Sequence, residues 1–244
     1  MNVRLTILGI AAFLALAPVT AFSQDEAKAK ATKVAADLAY IKTGGNTEVT
    51  TVSTGDKLEH KMADWLFTQD ARAVWGETDG VETAGRYDAS LRADYLFSKP
   101  VSAYALGAWD RNTFAGISRQ FEEGIGLSWH VTATAPHKLD LDGGVGLIQR
   151  RTTLAASEDF TTARTGLLYQ YHFTEKAYFE AHGAYLFNLD DGEDGQGEAQ
   201  FALVAPISGA FSMKLGYDLS YRNRPLPGLE KLDTTFSAGI QFSR

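Results

Sequence analysis

The sequence predicts an all-β protein: an antiparallel, up-and-down transmembrane β-barrel of about twelve strands behind a cleaved signal peptide. Three observations predict it. Residues 211–221 (FSMKLGYDLSY) alternate without a break, setting Phe211, Met213, Leu215, Tyr217, Leu219 and Tyr221 against Ser212, Lys214, Gly216, Asp218 and Ser220. Only a strand has that period. A soluble sandwich strand is usually about five or six residues long, whereas a tilted bilayer crossing needs about nine to eleven. Comparable segments recur along the whole chain, and the links between them alternate between short and long, as in outer-membrane barrels with short periplasmic turns and longer external loops.

Before the first strand, Arg4, the apolar run 5–17, Pro18 and the small residues flanking Phe22 read as a secretory signal over residues 1–23. The apolar run is shorter than the roughly 20 residues of a spanning helix. Residues 24–33 (QDEAKAKATK) carry charge without an apolar stripe and are expected to form a flexible periplasmic leader, leaving 34–244 for the barrel.

The first strand is expected at 34–42, followed by a Gly-rich turn at 43–47, and the second at 48–58, rich in Thr and Ser. The third, 65–75, sets Trp65, Phe67, Ala71, Ala73 and Trp75 against Thr68, Asp70 and Arg72. The fourth, 85–97, sets Tyr87, Ala89, Leu91, Ala93, Tyr95 and Phe97 against Arg86, Asp88, Ser90, Arg92 and Asp94. The fifth, 101–110, is ambiguous in phase: Tyr104, Leu106 and Ala108 suggest one face and Trp109 the other. Strands at 119–129, 138–150, 162–173, 177–188, 198–205, 211–221 and 232–242 complete the set. Links after even-numbered strands are short, as at 98–100 and 174–176; several after odd-numbered strands are longer, at 76–84, 151–161, 189–197 and 223–231. The link at 131–137 is long for its side and that at 43–47 short. This parity places both termini in the periplasm, Trp65 and Trp129 at periplasmic strand ends, and Trp75 and Trp109 at outer ends.

Composition agrees with this reading. A mean hydropathy of −0.17 beside 28 aromatic residues suits a wall in which every second residue faces a polar lumen. The absence of cysteine excludes disulfides, a lipid-modified cysteine and thiolate metal sites. A net charge of −7 argues against nucleic acid as a partner.

Residues 40–47 (YIKTGGNT) with the Thr/Ser-rich strand after them, and 110–119 (DRNTFAGISR) leading into Gly124-Ile125-Gly126, resemble the salt-induced outer-membrane protein family, long described as a domain of unknown function. The resemblance covers nearly all of the mature chain. It implies an outer-membrane barrel of Gram-negative bacteria, brings no catalytic or ligand residues, and is the sole ground for expecting a link to salt or osmotic stress. The ending Phe242-Ser243-Arg244 departs from barrels whose assembly signal finishes on the aromatic.

The candidate site is the polar face. Arg72, Arg86, Asp88, Arg92, Asp94, Asp142, Arg164, Glu180, Lys214, Asp218 and Arg222 are expected to line the lumen. Either they pair into a ladder that fills the barrel, with bases and acids such as Arg164 and Asp233 neutralising the residues of 211–222, or they line a narrow, weakly selective aqueous path. No cofactor or metal is expected: a calcium-loop count begun at Asp190 meets Phe201 where a bidentate glutamate is required. The expected surroundings are outer-membrane lipid, lipopolysaccharide and the barrel-assembly machinery, with the protein a monomer. Two other classes compete. A lipid hydrolase would centre on His182, the one histidine of His60, His130, His137, His172 and His182 expected near mid-wall, although no Gly-x-Ser-x-Gly or His-Glu-x-x-His motif occurs. A soluble periplasmic β-sandwich or lipocalin-like barrel binder would need a core behind the apolar faces.

Overall fold

In the computed structural model, the structure describes residues 31–44, 50–78, 81–113, 115–154 and 156–244. The expected signal, leader residues 24–30 and turn residues 45–47 lie outside the described residues. Twelve strands form one closed antiparallel barrel, each pairing with its sequence neighbours and the last with the first. They are β1 (Thr32–Gly44), β2 (Thr50–Met62), β3 (Trp65–Thr78), β4 (Val81–Leu96), β5 (Val101–Asn112) and β6 (Ile117–Thr132), then β7 (His137–Thr152), β8 (Ser157–His172), β9 (Tyr178–Asn188), β10 (Gly195–Ser208), β11 (Phe211–Arg222) and β12 (Leu232–Ser243). Closure between β1 and β12 runs from Ala35↔Ser243 to Gly44↔Thr234 and leaves no free sheet edge among the described residues.

The alternation that predicts the strands also sorts the wall. Leu38, Leu91, Ile125, Leu127, Val145, Leu147, Leu203 and Ile240 are exposed on the outside. Aromatic side chains bound this apolar belt at both ends. Trp65 packs at a tilt on Tyr95 and Tyr95 edge-on to Phe97 near the terminal end, and Phe211 packs on Phe242 there. Trp75, Phe121 and Phe187 mark the far end. Trp65 and Trp129 therefore share the end that carries the termini, and Trp75 and Trp109 the far end.

Two features differ from the sequence reading. Most strands are longer, and the far-end links expected at 151–161 and 189–197 shrink to 153–156 and 189–194. Polar residues beyond the apolar belt keep pairing in register, as in Gln149↔Asp159, Arg150↔Glu158 and Arg151↔Ser157, because cross-strand polar pairs sustain a ladder without an apolar face. The phase of β5 is also resolved. Ser102 and Tyr104 point inward and are buried, while Trp109 pairs beside exposed Phe121 on the outside. The sequence leaves this open because small residues occupy both faces of that strand.

Tyr104 has room to lie flat because its neighbours lack side chains. A Cβ on Gly126 would stand 2.6 Å from its ring, and one on Gly144 would stand 2.5 Å from its hydroxyl. A small apolar cluster of Ile148, Phe160 and Leu186 fills another part of the lumen wall.

Candidate functional site

The lumen face holds all eleven residues singled out from the sequence, on β3, β4, β7, β8, β9 and β11. They divide into a wall-bound group, a group that crosses the lumen, and others with partners of their own.

The wall-bound group surrounds Arg92. Its guanidinium donates to both Asp94 oxygens at 3.0–3.2 Å and to Ser128 Oγ at 2.6 Å, and it lies 3.9 Å from the Tyr104 ring centroid. Asp142 stands 3.8 Å from both Arg92 and Arg164, and Arg164 donates to Glu122 at 3.1 Å. Arg92 is thus held by hydrogen bonds, a cation–π face and charge together, which makes this group rigid.

The crossing group is different. Arg72 on β3 reaches Asp88 on β4 at 3.3 Å and Asp218 on β11 at 3.2 Å. Arg86 on β4 shares Asp88 at 3.2 Å and meets Glu198 on β10 at 3.5 Å. Strands β4 and β10 stand diametrically opposite in the ring. The Arg86–Glu198 contact therefore spans the lumen. Glu198 is half-exposed, so water reaches this bridge.

Other candidates have partners of their own. Lys214 pairs with Asp37 at 2.9 Å and Asp218 with Arg72. Arg222 donates to Gln196 at 3.3 Å, and Glu180 accepts from Gln170. Five arginines (Arg72, Arg86, Arg92, Arg150 and Arg164) share eight carboxylates (Asp88, Asp94, Glu122, Asp142, Glu158, Asp194, Glu198 and Asp218). With Lys214, Arg222, Asp37 and Glu180 of the same face added, seven cations stand beside ten carboxylates, and the luminal network is acidic in balance.

Several members escape sequence reasoning. Arg150 is nearly buried and donates to Gln120, Glu158, Asp194 and Gln196, with Phe160 4.7 Å beneath it. In the sequence it sits beside an expected loop. Glu198 reads only as the first residue of a strand, and its partner across the lumen becomes evident only once the strand count closes the ring. Arg224, beyond the end of β11 in a loop whose arginines and prolines stand out in the sequence as a candidate contact for lipid phosphates, pairs instead with Asp191 and Glu193, and the hydrogen bond to Glu193 raises its guanidinium pKa above its ordinary value.

One arrangement has the hydrogen-bond order of a hydrolase. Ser102 Oγ lies 3.1 Å from His130 Nε2, and His130 Nδ1 lies 2.8 Å from Asp140 Oδ1, with Lys138 bracing the same carboxylate at 3.2 Å. The residues come from adjacent strands β5, β6 and β7. Ser102, however, has 0% exposed surface, so a substrate carbonyl has no approach to its oxygen, and nucleophilic catalysis requires contact. The relay ties three strands together. Among the described residues, no group of three metal-ligating side chains occurs.

A closed antiparallel barrel with an apolar, aromatic-bounded exterior and a charged interior defines the architecture of an outer-membrane β-barrel. Comparison with known proteins agrees. The chain belongs to the family described as "Protein of unknown function, DUF481", which it matches over residues 36–243. No curated protein matches it. Among solved structures it is similar to the NanC porin, at 12% identity and a TM-score of 0.58, covering 85% of this chain and 98% of that one. It is also similar to the translocator domain of the autotransporter NalP from Neisseria meningitidis, at 12% identity and a TM-score of 0.51, covering 88% and 89%. At these identities the likeness establishes the fold.

Proposed function

We propose that this protein is a narrow, cation-preferring pore of the outer membrane, with its constriction at Arg72, Arg86, Asp88, Glu198 and Asp218. The observation that carries the reading is the acidic surplus of the luminal network beside a bridge that water reaches. A plug with no path would gain from neutralising its interior, since uncompensated charge in a dry medium is costly. An excess of carboxylates on a hydrated path sets an ion preference.

The apolar belt suits a wall in lipid, and the short connections at the terminal end favour periplasmic termini with the far end outward. Lipopolysaccharide and the assembly machinery are then the natural surroundings. An ion path in the outer membrane suits a role in salt or osmotic adjustment, and a monomeric barrel suffices for it.

Planar-bilayer recording of the purified barrel under a potassium chloride gradient tests the reading. The expected reversal potential has the sign of potassium permeation. An anion-selective current, or silence despite verified insertion, refutes it. The Ser102, His130 and Asp140 relay supplies the one observation on the side of hydrolysis. Labelling of Ser102 by a fluorophosphonate would establish that reading, and the burial of its oxygen predicts none.

A further inference from the structure

The far mouth carries two connections that rise from opposite walls. One joins β5 to β6 and the other, residues 223–231, joins β11 to β12; they lie half a turn apart around the ring. They nevertheless touch. A Cβ on Gly116 would stand 2.5 Å from Leu226 Cδ1 and 3.0 Å from Leu229 Cδ1, so both leucines rest on the backbone of the opposite hairpin. Connections at a barrel rim are ordinarily solvated. Here Ala115 and Ile117 are buried at 8% and 3% exposure, and Asn112 at 5%.

The loop is built to hold this posture. Pro225 and Pro227 fix two of its φ angles. The N–H of Leu229 donates to the Leu226 carbonyl at 3.0 Å, and Gly228 takes a φ of 87°, closing a turn that presents both leucines together. At its base, Asn223 donates to the carbonyl of Gly195 at 2.8 Å through its N–H and to that of Glu193 at 2.6 Å through its side chain, beside the Arg224 pairs with Asp191 and Glu193. On the receiving side, register shifts between Asp110 and Asn112 and between Ile117 and Arg119 bend the hairpin. Gly116 itself has a φ of 72° and so is required twice, for its backbone and for the space it leaves.

We propose that the 223–231 connection is a lid over the far mouth, latched to the β5–β6 tip by Leu226 and Leu229 and clasped at its base by Arg224. Exposed ion pairs contribute little to such a closure, so the leucines are the latch. The gating consequence rests on the pore reading above, but the closure itself does not.

The absence of cysteine permits a single reporter. Ser220, inward on β11 and paired with Glu198, lies in the lumen below the lid. In proteoliposomes, a Ser220→Cys protein is treated from outside with a membrane-impermeant maleimide. Adding Leu226→Asp and Leu229→Asp is expected to raise the labelling rate about tenfold or more, the factor that withdrawing one leucine's burial supports. Leu226→Met with Leu229→Met should keep it slow. Equal rates in all three proteins, each verified as folded by heat-modifiable migration, overturn the lid. Faster labelling without any rise in conductance leaves the lid standing and refutes the pore.

Discussion

The wall itself offers a sharp test at Gly126. A methyl group there would stand 2.3 Å from the Gly143 carbonyl oxygen and 2.6 Å from the Tyr104 ring. The ring has no free direction in which to retreat, because Arg92 lies 3.9 Å from its centroid and is itself fixed to Asp94 and Ser128. Overpacking of this kind costs about 1–3 kcal/mol, and loosening the cation–π contact adds up to about 1 kcal/mol. Gly126→Ala is therefore expected to destabilise the barrel by about 1–4 kcal/mol. Gly107 provides the control: it lies on the outer face, and a methyl group there would meet nothing within 4 Å, so Gly107→Ala should stay within about 0.5 kcal/mol of the native protein. Equilibrium guanidinium unfolding in lipid vesicles, followed by the fluorescence of Trp65, Trp75, Trp109 and Trp129, measures both. A Tyr104→Ala background should relieve part of the Gly126→Ala penalty, leaving the share due to the Gly143 carbonyl. Equal stability of the two alanine variants would refute the packing argument.

Other perturbations follow from the same contacts. Asp56 is exposed on the outer face between Ala36 and Ala71, and Asp56→Leu should stabilise the barrel in vesicles by about 1–2 kcal/mol, below the cost of a basic residue at the same depth. Arg150→Met should destabilise by about 2–3 kcal/mol in the same assay, less than a fully buried pair would lose because Glu158 is half-exposed. Ile125→Arg, on the lipid side in the middle of β6, should cost about 2–4 kcal/mol, the penalty of a basic side chain near the midplane.

How much of this is visible in the sequence depends on which side of the wall carries the information. Phe211, Met213, Leu215, Tyr217 and Leu219 reveal a strand unaided, because the outer face needs apolar side chains at every second position and nothing else. The twelve-strand count is legible on that ground. The strand ends are less so: Gln149 and Arg150 close the expected strand and Arg151 and its partner Ser157 read as loop, because these residues are polar on both faces, although the pairs with β8 continue the ladder. Pairing across the lumen is less legible still. Arg86 and Glu198 are 112 residues apart, and only closure at β1 and β12 sets their strands opposite each other. Ser102 illustrates a third limit, since the Ala-rich strand that carries it has no readable phase.

The most direct measurement of the pore's constriction is single-channel recording of the native barrel beside Arg86→Ala in a potassium chloride gradient. Removing the guanidinium withdraws the crossing bridge and leaves Glu198 and Asp88 with less compensation. A constriction at this bridge predicts a larger conductance and a reversal potential shifted further toward potassium. An unchanged conductance, or a shift toward chloride, would contradict it.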